Sequence, residues 1–108
     1  MYHSKIIGLG HYVPENIVTN DDLSKIIETS DSWIQERTGI KERRHVIKAS
    51  GETTTTMGVK AAKIAIERAG IDKQQIDFIV FATLSPDYYF PGPGVLVQRD
   101  LGIDTVGA

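Results

Sequence analysis

The sequence predicts an α/β fold in which helices cover a mostly parallel sheet, and three stretches predict it. "IDFIVFATLS", 76–85, is almost unbroken in apolar and β-branched residues, as expected of a strand covered on both faces. "TTTTMGVKAAKIAIERAG", 53–70, brings Met57, Ala61, Ile64 and Ala65 round at helical spacing and ends on Gly70, where a helix-stopping glycine belongs. "KIIGLGHYVP", 5–14, reads as another strand, closed by Pro14.

The remaining elements follow in order. "VTNDDLSKIIETS" reads as a short helix capped by Thr19 or Asn20, with Asp21 and Asp22 in its first turn and Leu23, Ile26 and Ile27 on its apolar face. A second helix starts near Asp31, with Ser30 as its cap and Gly39 as its stop. Residues 40–52 read as irregular and charged. "PDYYFPGPG" is a proline- and glycine-punctuated loop, "VLVQRDLG" a short helix or turn, and "IDTVGA" the start of another strand. The order is β-α-α-β-α-β, a layered arrangement.

Composition bounds what such a domain does. At 108 residues the chain is one domain, and 41% hydrophobic with 24% charged residues is globular chemistry. A net charge of -2 gives no general attraction to nucleic acid. Lys41, Arg43, Arg44, His45 and Lys48 form a basic run that reads as a solvated loop or as a local anion site. Without cysteine there is no disulfide, no thiolate metal site and no thiol nucleophile within these residues. No apolar run reaches the ~18 residues of a membrane span, and "MYHSKIIGLG" lacks the long apolar core of a signal peptide, so a cytoplasmic protein is expected.

Motifs for common chemistries fail. Gly8-x-Gly10 invites a dinucleotide-binding reading, but Val13 and Pro14 stand where a third small residue and a helix should follow; the plainer reading is close backbone packing at Gly8 and Gly10. There is no phosphate-binding glycine loop, His3, His11 and His45 lack metal-site spacing, and Ser85 is not in a nucleophile elbow. The four threonines 53–56 read as a helix entry, their hydroxyls meeting the unpaired amides of the first turn. No catalytic residue and no metal ligand is expected.

One segment stands apart. "TSDSWIQERTGIKERR", 29–44, holds the only tryptophan, Trp33, with Arg37 one helical turn on and Ile34 beside them, able to point inward. Two readings stay open. Trp33 anchors the helix on a core while Arg37 stacks on it, or the pair is an aromatic plate and a planar cation facing solvent, as recognition of an adenine ring joined to phosphates requires.

The same segment resembles the hallmark of the β-ketoacyl-acyl-carrier-protein synthase III family, condensing enzymes of the thiolase superfamily. The resemblance extends through "IIGLGHYVPENIVTNDDL", "ETTTTMGVKAAKIAIERAGI", "IDFIVFATLSPDYYFPG" and "DLGIDTVGA", in order, over 2–108. It implies the N-terminal portion of a thiolase-like fold, 1–108, of layered α-β-α type with a mixed, mostly parallel sheet. It implies a homodimeric acyltransferase that initiates fatty acid synthesis, with acyl-CoA and an acyl carrier protein as partners and no bound cofactor. In such enzymes a Cys-His-Asn set does the chemistry, with the cysteine a few residues beyond the position of Ala108, so these residues alone are expected to be inactive. The positions matching Thr29, Trp33 and Arg37 lie at the coenzyme A nucleotide, with Trp33 stacked on adenine, and Phe90 lines the partner's acyl pocket. A condensing enzyme with another acyl product and a non-catalytic half-domain that binds coenzyme A or a partner are the alternatives.

Overall fold

The computed structural model describes residues 2–104 and 107–108. The chain divides into two compact units, Val13–Gly51 on the one hand and Met1–Tyr12 with Glu52–Ala108 on the other.

In the unit Val13–Gly51, β1 (Ile17–Thr19) runs antiparallel to β2 (Glu42–Arg44), pairing Ile17 with Arg44, Val18 with Arg43 and Thr19 with Glu42. The expected irregular stretch after Gly39 thus contains a strand. Three polar residues show no apolar alternation; the pairing rests on backbone hydrogen bonds and on Arg43, whose Nη1 reaches the Val18 carbonyl at 3.4 Å. Helix α1 spans Asn20–Ser24, and Thr19 is its cap: Thr19 Oγ1 accepts from the Asp22 amide at 3.2 Å while the Thr19 amide donates to Asp22 Oδ2 at 3.1 Å. It is shorter than predicted. It ends before Ile26 and Ile27, which are exposed and contribute no helical face. Helix α2, Asp31–Thr38, begins and ends as predicted, with Ser30 Oγ accepting from the Trp33 amide at 3.2 Å and Gly39 at φ 71°.

The other unit is built on α3 (Thr54–Ala69) and α4 (Pro93–Leu101). Val59, Val97, Leu101 and Ile103 form its buried core, and Ile66, Ile76, Ile79 and Phe81 pack around them. Thr53 closes a reciprocal cap with Thr56, as the threonine run predicted, and Gly70 ends α3 at φ 67°. A carboxylate serves the same helix end: Asp87 Oδ2 accepts from the Thr55 amide at 3.0 Å. The segment 5–12 lies along α3. A Cβ on Gly8 would run into the Ala65 carbonyl oxygen and one on Gly10 into that of Ala61, so the close-packing reading of these glycines holds. Tyr12 ties the end of this segment down, its hydroxyl donating to Glu52 Oε1 and accepting from Lys60 Nζ at 2.9 Å.

The sheet is smaller than predicted. Among the described residues, neither 5–14 nor 76–85 forms a hydrogen-bonded ladder; the parallel pairing appears as a single bridge between Phe78 and Gly107, with the Ile79 amide donating to the Gly107 carbonyl at 2.8 Å. Thr105 and Val106 of the expected last strand lie outside the described residues. The apolar pattern of 76–85 reports burial, and it is half met: Ile76, Ile79 and Phe81 pack on the helices while Phe78, Val80 and Leu84 stay exposed. Among the described residues no helix is long and apolar enough to cross a membrane.

Candidate functional site

The candidate site is built on α2. Ser30 fixes where the helix starts, which places Trp33 in the first turn and Arg37 one turn on. Ile34 points inward and is the one buried residue of α2. Trp33 is 55% exposed, so it is not a core anchor. The Arg37 guanidinium carbon lies 5.8 Å from the Trp33 ring centre, within cation–π range. Within these residues Arg37 stacks on the ring and Trp33 is not buried in a core.

Beside the ring is a shallow cavity of about 220 Å³ lined by Glu28, Thr29, Ser30 and Trp33. Sites that enclose a whole drug-sized ligand are ≈ 300–1,000 Å³, so this one suits a flat group laid against the indole rather than an engulfed molecule. Thr29 Oγ1 is shut off from water and has no hydrogen-bond partner. Thr29, Trp33 and Arg37 are therefore brought together. Phe90 lies in the other unit, 92% exposed, in the loop before α4.

Two arginines of the basic run are engaged within the chain. Arg43 Nη2 donates to Asn20 Oδ1 at 2.7 Å, and Arg44 Nη1 donates to the Pro14 carbonyl at 3.2 Å. Arg43 ties a side chain to the Val18 carbonyl, while Arg44 meets backbone carbonyls only.

Asn20 was visible in the sequence only as a possible cap. In the structure it is 1% exposed and lies at the centre of a polar network. Its Nδ2 donates to Asp31 Oδ1 and to the Ile40 carbonyl, each at 2.7 Å. Asp31 Oδ2 accepts in turn from Gln35 Nε2 at 2.6 Å. The hydrogen bonds from Asn20 first and Gln35 second hold the Asp31 carboxyl below its ordinary range. A Thr-Asn pair ahead of an acidic turn is the one signal that could have drawn attention to this position.

Among the described residues no cluster of histidines and carboxylates could hold a metal ion. With an aromatic face and a cation side by side, the arrangement can bind and orient a planar, anionic group.

Comparison with known proteins gives the context. No family model matches the chain. The β-ketoacyl-[acyl-carrier-protein] synthase III of Sulfurimonas denitrificans is 50% identical over 109 residues, which cover 100% of this chain and 32% of that protein. The crystal structure of the 3-oxoacyl-[acyl-carrier-protein] synthase III from Aquifex aeolicus superposes with a TM-score of 0.85 at 46% identity, covering 96% of this chain and 34% of that one. A priming β-ketosynthase from the R1128 polyketide pathway superposes at 0.88 with 35% identity, over 95% and 30%. The chain spans about a third of the length of these relatives. Over its whole length in sequence and 96% of it in backbone, this chain is similar to a one-third segment of β-ketoacyl-[acyl-carrier-protein] synthase III.

Proposed function

We propose that residues 1–108 are the N-terminal portion of a thiolase-like 3-oxoacyl-[acyl-carrier-protein] synthase III, lying ahead of the catalytic cysteine, and that their part in the reaction is to hold the nucleotide end of acyl-CoA. The observation that carries this reading is the exposed Trp33 ring with Arg37 stacked beside it. An indole offers a face to adenine, and a guanidinium offers paired donors to phosphate. Thr29 lines the cavity beside the ring.

In the whole enzyme the cysteine thiolate attacks the acyl-CoA carbonyl, forming an acyl thioester and releasing coenzyme A. Malonyl-acyl carrier protein then loses carbon dioxide. The resulting carbanion attacks the acyl thioester and expels the cysteine thiolate, leaving the 3-oxoacyl product on the carrier protein. The residues described here make no bond in those steps. They hold the reactive thioester at a fixed distance from the nucleophile by gripping the far end of the same substrate. A cytoplasmic homodimer in which Phe90 lines the partner subunit's acyl pocket completes the reading.

The likeness to the priming ketosynthase favours a second reading, a related condensing enzyme with a different acyl product. The test of both is turnover by the full-length protein carrying this segment, with a panel of acyl-CoA primers and malonyl-acyl carrier protein. A 3-oxoacyl product from acetyl-CoA supports the synthase III reading, and a product only from other primers supports the second. Coenzyme A binding with no condensation from any primer overturns both.

A further inference from the structure

We propose that Asn20 is the positioning residue of the nucleotide-binding face: its buried carboxamide, bridging Arg43 to Asp31 and the Ile40 carbonyl, sets the orientation of α2 and with it the Trp33 ring. The inference rests on the reading of Trp33 and Arg37 as the platform for coenzyme A.

Helix α2 cannot orient itself by apolar packing. It has 8 residues and buries only Ile34. Isolated helices shorter than ~12–15 residues are marginal in water, so α2 depends on its surroundings. The polar ties that remain converge on Asn20. One hydrogen of its Nδ2 goes to Asp31, the first residue of α2, and the other to the carbonyl of Ile40, just past the helix end, both at 2.7 Å. A single side chain thus grips both ends of the helix. Its Oδ1 accepts from Arg43 Nη2 at 2.7 Å, and its backbone amide donates to the Lys41 carbonyl at 3.3 Å.

The charges fix which way the carboxamide faces. Its oxygen meets the Arg43 cation and its nitrogen meets the Asp31 carboxylate; the reverse orientation would set donor against donor and acceptor against acceptor. Such charge-assisted bonds are the stronger ones, and the Asn20 side of each is buried. Asp31 passes the constraint along the helix to Gln35 at 2.6 Å, the turn that carries Ile34 and Arg37. At 1% exposure Asn20 itself touches no ligand, so it acts through the placement of Trp33.

The test uses the full-length protein carrying this segment. Asn20→Asp keeps an acceptor for Arg43 but sets an oxygen against Asp31 and against the Ile40 carbonyl. If the binding-competent pose of α2 falls to roughly a tenth of the population, the Kd for coenzyme A and the KM for acyl-CoA rise about tenfold. Malonyl-acyl carrier protein and acyl-pantetheine carry no adenine nucleotide, so their KM values and kcat stay unchanged. Adding Asp31→Asn gives position 31 a donor toward the new carboxylate and recovers part of the lost coenzyme A affinity. Asn20→Ala leaves the same partners to water and gives the same split should Asn20→Asp be too unstable to purify. Unchanged coenzyme A affinity in these variants overturns the inference, as does an equal loss with acyl-CoA and acyl-pantetheine, which would mark a general structural role. A parent protein that does not bind coenzyme A overturns the underlying reading as well.

Discussion

The Arg37 guanidinium carbon sits 5.8 Å from the centre of the Trp33 ring, and that ring is more than half open to solvent. A large aromatic held in the open beside a cation gains little from burial, so its removal should be felt in binding and hardly at all in folding.

Trp33→Ala is expected to weaken coenzyme A binding by about 1–3 kcal/mol, the scale of base–aromatic stacking. A fully buried tryptophan would instead cost about 3–5 kcal/mol of stability. Calorimetric titration and a thermal melt on the same variant separate the two. Arg37→Ala should also weaken binding and flatten its dependence on salt, because a charge facing phosphate has gone.

Asp87 gives a pH-dependent prediction. Burial pushes its carboxyl up, but the polar groups of Thr53, Thr54 and Thr55 around it, among them the Thr55 amide that donates to Oδ2 at 3.0 Å, outweigh this and hold it below the ordinary value of 3.8. A carboxylate with a depressed pKa in the folded state binds protons more readily when unfolded. Its stabilising contribution is therefore complete above about pH 4–5 and is lost as pH falls through the depressed folded value. Asp87→Ala should cost roughly 1 kcal/mol at pH 7, the usual worth of a helix cap. Urea melts of both proteins at pH 7 and below pH 3 should show that difference shrinking in acid. A constant difference would mean that Asp87 acts by packing.

Gly8 and Gly10 should tolerate no side chain. At Gly10 an added Cβ would lie 2.6 Å from the Ala65 amide nitrogen as well as against the Ala61 carbonyl, and backbone of a helix cannot step aside cheaply. Gly8→Ala and Gly10→Ala should each cost about 1–3 kcal/mol or more. Gly92→Ala is the control, since it has φ −64° and no atom within 4 Å of the new methyl group. Equal melting temperatures for all of these variants would show that 5–12 does not pack on α3 as described.

What the sequence made legible was local. The cap and stop of α2, Ser30 and Gly39, and those of α3, Thr53 and Gly70, are signals read within one helical turn. The Asp87 cap was not legible because its partner is 32 residues away in sequence. Nor was β2, whose residues carry no apolar alternation. Helical spacing put Trp33 and Arg37 on one face, but the same spacing serves a core and a binding surface, and only exposure distinguishes them. Asn20 beside Thr19 looked like an alternative cap; its burial depends on Asp31, Ile40 and Arg43 meeting around it.

Residues 1–108 alone should form no acyl-enzyme. They contain no cysteine, and a serine or threonine needs an adjacent base to become a nucleophile. Incubation with radiolabelled acetyl-CoA should leave no covalent adduct and give no condensation with malonyl-acyl carrier protein. Reproducible stoichiometric labelling would show that a hydroxyl or amine here is activated.

The same residues expressed alone should also self-associate. Phe78, Val80 and Leu84 are exposed in 76–85, and Tyr88, Tyr89 and Phe90 are exposed in the loop before α4. Among the described residues, Gly107 pairs with Phe78 by a single parallel bridge. Exposed apolar surface is a template for association. A chain of this length buries only about 60–70% of its unfolded surface even when complete, which leaves a small margin against a competing contact. Association should run through 88–108 and bury on the order of 1,000 Å² or more in total if it is specific. Leu84→Lys and Phe90→Lys, which place charge among those residues, should shift the chain toward monomer in sedimentation runs over a range of concentrations. A wild-type chain that sediments as a monomer throughout, binds no hydrophobic dye and melts cooperatively would mean that the exposed apolar residues of 76–85 are tolerated by themselves and need no cover.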